Sequence, residues 1–530
     1  MILKIWLGVL GSYISHLHCE KNYNVKESFF LNNTIGKNIK SGIFPFWIGS
    51  FMNNPFQKIF SFRFFEWMLW SIFGILLGIV IFRASFLSIQ WKMAVSIFLG
   101  LLLLAPVYQW ITGHIEKLLW FLFFASIPLD FDIHLSYREY VGTFNGLLLN
   151  LTDLSLLSLF LFWIFRRIAK RESIPFSFPL MLPTLVFFLA HFTSLIYAED
   201  ISLSILSIVQ IAKILFLFWF LVHAMEDEAL LSLAWKFLVI CIILESLICS
   251  LQFITKTNFT TTMKIAENYG EEVFRVGGTT GSPNVTASYL GSLLVIPIIS
   301  LFVMKGKLQF KFFIFLSIVL GLFAFVLTQT RGAWINFCIG LFLFFVFNRT
   351  IRHRGWIVLG FLVMLIGLVG IFHRVIFERF SEGWDTLMYR LELTKTAFAM
   401  IKTHPFLGVG ANNYALVMSD YVPYFLTQER WVVHNRYLLV ASELGIFGLF
   451  GFLYFLGSAL YHAWKSTHSS NPFVVGFGNG VFYALLVFMF QMMLESLDGR
   501  ICDAHLWVLA GLASALSQFY RHTESTKEMH

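Results

Sequence analysis

Residues Phe310–Trp334 read F-K-F-F-I-F-L-S-I-V-L-G-L-F-A-F-V-L-T-Q-T-R-G-A-W, and this stretch decides the fold class. Up to Thr328 its only charged residue is Lys311. A helix of about twenty such residues crosses a hydrocarbon layer about 30 Å thick. After T-Q-T-R the chain enters a second apolar run. The stretch therefore predicts two transmembrane helices joined by a tight turn.

The composition of the whole chain follows the same pattern. Of its 530 residues, 58% are hydrophobic and 13% are charged, whereas soluble domains carry about 25% charged residues. The net charge of +8 is spread over short loops rather than one face, which argues against a nucleic-acid partner and for contact with membrane lipid. Five cysteines without a C-x-x-C motif predict neither a metal site nor a disulfide framework.

Apolar runs predict an all-α integral membrane protein with about 12–14 transmembrane helices. The predicted spans lie near residues 66–82, 92–112, 117–129, 145–166, 178–198, 203–224, 229–254, 284–304, 310–328, 333–348, 355–372, 434–462, 473–494 and 503–520. The implied organisation is an N-terminal extension (1–65), a first group of spans (66–372), a long polar loop (373–433), C-terminal spans (434–520) and a cytoplasmic tail (521–530).

Basic residues occupy alternate loops of this topology. They are Arg166, Arg167, Lys170, Arg171, Lys305, Lys307, Lys311, Arg349, Arg352, Arg354 and Lys465. Because Lys and Arg collect in cytoplasmic loops, these loops are predicted to be cytoplasmic, and the acidic loop 223–228 falls on the same side. The extracytoplasmic face then receives segments 130–144, 255–283, 328–333, 373–433 and 497–500.

The long loop begins with an amphipathic helix. Within Gly383–Thr403 an apolar stripe recurs at helical spacing, formed by Trp384, Leu387, Leu391, Thr394, Phe398 and Ile401, and it predicts a helix on the membrane surface. At 100° per residue, Arg390 lies about 70° from the centre of that stripe. It therefore borders the apolar face; the alternative is a solvated charge on the helix flank.

A turn follows this helix. Pro405 ends the helix, and Gly408 and Gly410 allow a tight turn before Asn412 or Asn413, either of which could cap the next short helix. Glycines also let a backbone approach a phosphate closely. Ordinary turn formation is the simpler explanation of the two glycines.

Two arginines stand elsewhere on the predicted outer face. Arg331 lies in the turn between the two spans quoted above. A guanidinium there runs against the orientation rule and indicates an anionic partner; the alternative is a snorkelling anchor. Arg275 belongs to the loop F-R-V-G-G-T-T-G-S-P-N, Phe274–Asn284, and ranks below Arg331 and Arg390 because arginines are common in loops.

His434 and Asn435 stand where the chain enters a long apolar helix, with Glu443 about two turns further in. A helix N-terminus favours anions through its free N–H groups. A neutral histidine ring can act as a general base near pH 7. The alternative is an interfacial residue without a chemical role.

Arginines and a histidine on one membrane face suit a substrate that is half lipid and half anion, such as a polyprenyl pyrophosphate. Each guanidinium can hold a pair of phosphate oxygens, and such charge-assisted bonds contribute about 1.5 to 3 kcal/mol each. Their contribution grows as the leaving pyrophosphate gains charge, which turns binding into catalysis.

Three segments together resemble the O-antigen ligase and polymerase superfamily. In order, they are T-Q-T-R-G-A-W, then R-L-E-L-T-K-T-A-F-A-M-I-K-T-H-P-F-L-G-V-G-A-N-N-Y, then H-N-R-Y-L-L-V-A-S-E-L-G-I-F-G-L-F-G. The resemblance extends over roughly Asp130 to the C-terminus. It implies a C-type-like membrane glycosyltransferase with a long periplasmic loop, working without a metal or cofactor on an undecaprenyl pyrophosphate-linked glycan.

The resemblance also implies roles for individual residues. Arg331 and Arg390 look like the pyrophosphate-engaging pair, with Arg275 in a donor-side loop. His434 looks like the residue that activates the acceptor hydroxyl or stabilises the leaving group. Asn435, Glu443, Gly408 and Gly410 are supporting candidates.

The expected activity is O-antigen ligation to lipid A-core at the periplasmic face of the bacterial inner membrane. A polymerase that extends the lipid-linked glycan is the close alternative, and a protein O-oligosaccharyltransferase is a further one. A transporter of lipid-linked glycans is the alternative from another class. It would place charges deep in the membrane and on both faces, whereas the polar residues here gather on one.

Overall fold

A computed structural model describes residues 115–138, 143–176, 178–257, 274–304, 307–348, 355, 384–422 and 431–528. The predicted N-terminal extension and the predicted spans 66–82, 92–112 and 355–372 lie outside these ranges. The long loop is described over 384–422 and 431–433.

Thirteen α-helices and one pair of short strands make up the described part of the chain. They are α1 (Ile115–Ser126), β1 (Asp132–His134), β2 (Leu148–Asn150), α2 (Leu151–Lys170), α3 (Met181–Thr193), α4 (Ile201–Ala224), α5 (Glu228–Thr255), α6 (Pro283–Val303), α7 (Leu308–Leu327), α8 (Arg331–Phe347), α9 (Trp384–Thr403), α10 (Tyr414–Val417), α11 (Arg436–Ser466), α12 (Pro472–Gln491) and α13 (Arg500–Glu528). Single 3-10 turns cover Ser194–Ile196, Gly278–Thr280 and Met418–Asp420.

Six of the described helices are long and apolar enough to cross a membrane, namely α4, α5, α6, α7, α11 and α12. Two shorter apolar helices are Met181–Ile196, which includes a 3-10 turn, and α8. The predicted class, an all-α integral membrane protein, is confirmed. The antiparallel pair β1–β2 is a small addition within the loop that joins α1 to α2.

Helix α6 forms the centre of the bundle. All of its residues from Thr286 to Ser300 are buried, and α12 packs along it. Gly480 of α12 permits this close approach, because a Cβ atom there would lie 3.1 Å from the Ile296 Cα. Small residues at helix interfaces are typical of membrane bundles.

Helix α7 shows the opposite distribution. Part of its surface is exposed, with Phe312 64% and Phe315 57% exposed, whereas Ser317, Ala324 and Phe325 are buried. An apolar outer face suits a helix that contacts lipid, and small residues on the inner face allow close packing.

Three predicted spans differ from the helices observed at the same positions. The predicted span 145–166 begins too early, because residues 148–150 pair with β1 and Asn150 forms a capping box with Asp153 at the start of α2. The predicted span 434–462 is not one continuous helix: Gly445 has φ 65 and ψ −167, so α11 breaks there. The last helix, predicted over 503–520, runs from Arg500 to Glu528 and includes most of the predicted tail.

The described parts of the five segments predicted for the extracytoplasmic face lie together at one end of the bundle. The contacts that join them are Asp130 to Thr279 (2.9 Å), Arg275 to Thr328 (3.1 Å), Asn412 to Phe144 (2.7 Å) and the ion pair of Arg500 with Asp132 (2.7 Å). Segments distant in sequence therefore meet at one end of the bundle.

The acidic loop 223–228 contacts loops predicted to be cytoplasmic. Glu226 forms an ion pair with Arg167, and Glu228 accepts a hydrogen bond of 2.8 Å from Asn471. Asp227 caps α5 by accepting from the Leu230 N–H at 2.7 Å. Its acidic residues thus serve capping and pairing, which explains why this loop is acidic beside basic neighbours.

Candidate active site

Glu495 is the centre of the polar cluster at the predicted outer face. It follows the end of α12 and its residue is only 8% exposed. Its Oε1 accepts from Arg390 Nη2 at 2.9 Å and from Asn284 Nδ2 at 3.1 Å, and its Oε2 lies 2.9 Å from His434 Nδ1. One carboxylate therefore gathers side chains from α6, α9 and the entry to α11.

Helix α9 forms where the amphipathic pattern predicts it, but its buried face is a different one. Leu393, Ala397 and Met400 are fully buried, whereas Leu391 is 44% and Phe398 57% exposed. The stripe predicted to lie on the membrane surface is thus exposed at Leu391 and Phe398, and a second apolar set packs against the protein. The buried residues belong to a second apolar cluster that α9 forms with the turn around Tyr414 and with α11.

This packing aims Arg390 at Glu495. Arg390, Leu393 and Ala397 follow a spacing of three and four residues, so they lie on one helix face. Arg390 Nη1 also donates to the Leu494 carbonyl at 3.1 Å, which gives the guanidinium two adjacent contacts. The sequence predicts Arg390 at the edge of the apolar stripe. In the structure it lies on the helix face that packs against the rest of the protein. The side chains of Trp384 and Leu387 lie outside the described residues.

The entry to α11 lies alongside the segment that follows α12. Asn435 is the N-cap residue of α11 and accepts from the Leu438 N–H at 3.0 Å, while its Nδ2 donates to the Met493 carbonyl at 3.1 Å. The Arg436 N–H donates to the Met492 carbonyl at 2.8 Å. These bonds fix the backbone that directly follows His434.

The contact with Glu495 sets the tautomer of His434. An ionised carboxylate only accepts hydrogen bonds, so Nδ1 of the ring carries the proton and donates it to Glu495. In the neutral ring, Nε2 is then the nitrogen with the lone pair. The ring is 27% exposed, which leaves it partly open to solvent or substrate.

Arg275 holds the T-Q-T-R turn rather than projecting from a loop. Its Nε donates to the Thr328 carbonyl at 3.1 Å, and its Nη2 donates to Thr330 Oγ1 at 3.1 Å and to Asn284 Oδ1 at 2.9 Å. Gln329 between the two threonines has φ 53, which is unusual for a residue other than glycine. The arginine therefore fastens a strained turn.

Arg331 is the first residue of α8, not part of the preceding turn, and it is exposed. Its neighbours on both sides contact the cluster. Thr330 bonds to Asn284 Oδ1 at 3.2 Å, and a Cβ atom on Gly332 would lie 3.0 Å from Leu494 Cδ1. The fold thus brings Arg331 to the same surface as Arg390 and His434.

The turn with Gly408 and Gly410 packs against the break in α11. The Val409 N–H donates to the Ser442 carbonyl at 2.9 Å, and the Gly410 N–H donates to the Glu443 carbonyl at 3.1 Å. The glycines serve this backbone-to-backbone contact. The Glu443 side chain, part of the same junction, lies 3.3 Å from the Tyr414 N–H, which donates to it.

Neither Asn412 nor Asn413 caps α10 with its side chain, so the predicted cap is wrong. Asn413 occupies the N-cap position without a side-chain cap bond. Its Nδ2 instead donates to Ser204 Oγ at 2.9 Å, and Asn412 bonds to the backbone of Phe144. Both amides tie the long loop to the rest of the protein.

Glu495 is ionised in this environment. Burial acts to raise the pKa of its carboxyl group, but the hydrogen bond with His434 and the charge of Arg390 outweigh it, and the pKa lies below its ordinary value. The cluster therefore carries a stable negative charge among arginines.

Residues 316–453 match the model of the O-antigen ligase family. This segment of the chain is similar to the O-antigen ligase family. The similarity supports a glycan-processing enzyme of the kind that ligates or polymerises lipid-linked glycans. No curated protein sequence matches the chain.

The O-antigen ligase segment contains part of the cluster. Arg331, Arg390 and His434 lie inside residues 316–453, whereas Arg275, Asn284 and Glu495 lie outside. Among the described residues, no group of three His, Cys, Asp or Glu side chains could hold a metal ion.

Sequence reasoning missed Glu495 and Asn284. A signal for Glu495 was present, because M-M-L-E-S-L-D-G-R (Met492–Arg500) places an acidic residue directly after an apolar span on the face that collects arginines. Asn284 gave no such signal, since an asparagine at the start of a helix is ordinary. Its importance depends on contacts across the fold.

We expect Gly408→Ala to lower the thermal unfolding midpoint of the purified protein. Gly408 has φ +71, and a Cβ atom would lie 2.3 Å from the Glu443 carbonyl oxygen. The left-handed conformation costs about 1–2 kcal/mol and the collision about 1–3 kcal/mol more. Gly457→Ala in α11 is the control, since nothing lies within 4 Å of its Cβ position. Equal midpoints for both variants would contradict the packing described above.

The lowered pKa of Glu495 predicts a pH dependence of stability. A carboxyl group whose pKa is lowered by folding stabilises the protein above its unfolded pKa, about 4.3 for Glu, and this contribution is lost as the pH falls through the folded value. Wild type should therefore melt above Glu495→Gln at about pH 7, and the gap should close below about pH 4. A gap that stays constant over this range would contradict the assignment.

Proposed function

We propose that this protein transfers a glycan as one block from undecaprenyl pyrophosphate to an acceptor hydroxyl at the periplasmic face of the bacterial inner membrane. The acceptor we favour is lipid A-core, which makes the reaction O-antigen ligation in lipopolysaccharide biosynthesis. The observation that supports this is the position of Glu495, whose two oxygens hold Arg390 and His434 beside the start of α8. An anion-binding residue and a base are thus fixed within reach of one substrate.

The net charge of the three arginines and Glu495 matches the charge of the proposed pyrophosphate donor. Arg275, Arg331 and Arg390 against the single carboxylate of Glu495 leave two positive charges. A diphosphate esterified at both ends carries two negative charges. Because the side chain of Arg390 is 37% exposed and Arg331 is exposed, both can turn toward an incoming pyrophosphate.

The chemistry proceeds by direct displacement. Nε2 of His434 takes the proton of the acceptor hydroxyl as its oxygen bonds to C1 of the donor sugar. The bond between C1 and the phosphate oxygen breaks, and its electron pair leaves with the pyrophosphate. Arg331 and Arg390 stabilise the charge that develops there, and Glu495 stabilises the imidazolium formed on His434. No metal or cofactor takes part in this scheme.

The decisive experiment uses the purified protein in detergent with a synthetic polyprenyl pyrophosphate-linked glycan and lipid A-core, in the presence of EDTA. Formation of glycan-bearing core supports ligation without a metal or a membrane gradient. Longer lipid-linked glycans would assign a polymerase instead, and glycan on an added protein would assign a protein O-oligosaccharyltransferase. An intact donor under all these conditions would overturn the proposal and leave transport as the alternative.

A deletion strain gives the same distinction in cells. Loss of a ligase leaves full-length chains on the lipid carrier, whereas loss of a polymerase leaves single repeat units on the core. Lipid-linked and core-linked glycans are separated and sized in each strain. Only the first pattern agrees with ligation.

We expect Arg331→Ala to lower kcat/KM for the donor by about 10²- to 10³-fold, as for the removal of one charge-stabilising donor. Arg331→Lys should recover part of this activity, because a lysine keeps the charge but not the bidentate geometry. The rates are measured at equal amounts of folded protein. Unchanged activity in Arg331→Ala would remove Arg331 from the site.

A further inference from the structure

Asn284 lies between the two halves of the polar cluster. It is in the first turn of α6, just after Pro283. On one side its Oδ1 accepts from Arg275 Nη2 at 2.9 Å and from Thr330 Oγ1 at 3.2 Å; on the other its Nδ2 donates to Glu495 Oε1 at 3.1 Å. It touches both the turn that leads to Arg331 and the carboxylate that orients His434.

The directions of the hydrogen bonds around Asn284 require an amide side chain. A guanidinium only donates hydrogen bonds and an ionised carboxylate only accepts them. The group between Arg275 and Glu495 must therefore accept on one side and donate on the other. The isosteric aspartate would accept on both sides and place a second negative charge about 3 Å from Glu495, and an aliphatic side chain would do neither.

On its Oδ1 side, Asn284 contacts the turn before Arg331, whose backbone conformation needs stabilising contacts. The turn before Arg331 contains Gln329 at φ 53, a conformation that surrounding contacts must stabilise. Besides Asn284, Arg275 fastens both flanks of that turn, at the Thr328 carbonyl and at Thr330 Oγ1. The amide of Asn284 links this fastened turn to Glu495.

We propose that Asn284 is a positioning residue that couples the Arg331 turn to the His434–Glu495 pair, so that the pyrophosphate-binding side and the base side keep a fixed separation. The proposal rests on the transfer reaction proposed above. It predicts that the effect of changing Asn284 depends on the charge of Glu495, which is unlike the effect of a residue that only supports the fold.

The test compares Asn284→Asp with Asn284→Ala in the wild-type and Glu495→Ala backgrounds. With Glu495 present, we expect Asn284→Asp to transfer glycan about tenfold more slowly than Asn284→Ala, and in the Glu495→Ala background the two should agree within about twofold. The same double-mutant comparison is made on thermal midpoints in detergent. Equal effects of Asp and Ala in both backgrounds, for rates and midpoints alike, would overturn the proposal.

A pH profile and a matched control separate positioning from general support. Arg390, His434 and Asn284 are the groups that hydrogen-bond to Glu495. Loss of the Asn284 donor makes this carboxylate easier to protonate, so the acid limb of the Asn284→Ala rate profile should move to higher pH. Asn479→Ala removes an amide of α12 that bonds only to the Val475 carbonyl among the described contacts, and it should leave the limb unmoved. A limb that stays in place in Asn284→Ala contradicts the coupling.

Failure of the proposed function has a different signature. If the wild-type protein transfers no lipid-linked glycan, the reaction proposed above is wrong, but the midpoint comparison still decides whether Asn284 couples to Glu495. If Asn284→Asp folds only together with Glu495→Ala, this dependence is itself the expected coupling. If neither Asp variant folds, the test compares the rates and midpoints of Asn284→Ala, Glu495→Ala and the double variant. Effects of the two single substitutions that simply add in the double variant would overturn the proposal.

Discussion

We expect His434→Ala to lower the rate of glycan transfer by about 10²- to 10⁴-fold, the usual contribution of a general base. Nδ1 of His434 donates to Glu495 at 2.9 Å, which leaves Nε2 as the basic nitrogen of the neutral ring. Alanine removes that base but none of the guanidinium groups. The effect should therefore fall on kcat, with little change in KM for the donor.

The measurement is the steady-state rate of transfer by purified protein over a range of donor concentrations, which gives kcat and KM. His462→Ala is the matched control, since His462 lies within α11, the helix that His434 precedes, and bonds to Ser517 Oγ at 3.0 Å. It removes a histidine without touching the contacts of Glu495. Full turnover in His434→Ala would show that another group takes the proton.

The second large effect is expected for Arg390→Ala, which should lower kcat/KM by about 10²- to 10³-fold. The substitution removes a charge that stabilises the leaving pyrophosphate. It also removes the contacts of Arg390 with the Leu494 carbonyl and Glu495 Oε1, so Glu495 loses one of the groups that fix it. Both effects lower the rate, and the second loosens His434 as well.

Lys395→Ala separates this loss from a general change in charge. Lys395 is on the same helix and pairs with Glu392, and its side chain is 72% exposed. Removing it lowers the charge of α9 by the same amount, yet we expect transfer to stay within about twofold of wild type, as for surface positions outside a site. Comparable losses in both variants would mean that Arg390 acts only through the net charge of the loop.

Much of the fold follows from local sequence. The apolar runs predicted the helices α4, α5, α6, α7 and α12 close to their observed bounds, because a residue in lipid must satisfy its backbone within its own helix. The alternation of basic loops predicted which segments share an end of the bundle. The strand pair β1–β2 and the break at Gly445 escaped prediction, since each depends on a partner distant in sequence.

For the candidate site too, one part could be predicted from the sequence and another part depends on the tertiary structure. Sequence identified Arg275, Arg331, Arg390 and His434, because charged groups at a membrane face are costly and their positions are informative. It predicted the exposed apolar stripe of α9 but not the second apolar set, Leu393, Ala397 and Met400, which packs against the protein.

The sequence by itself thus determined the class of protein, the bounds of helices such as α4, α5, α6, α7 and α12, and the residues that are candidates for the site. The tertiary structure decided how they are joined. Asn284 carries no signal in the chain and Glu495 only its place after an apolar span. Their contacts form because α6, α9, the entry to α11 and the end of α12 bring donors and acceptors within hydrogen-bond distance. Hydrogen bonds require a separation of about 3 Å, and only folding sets distances between residues that lie far apart along the chain.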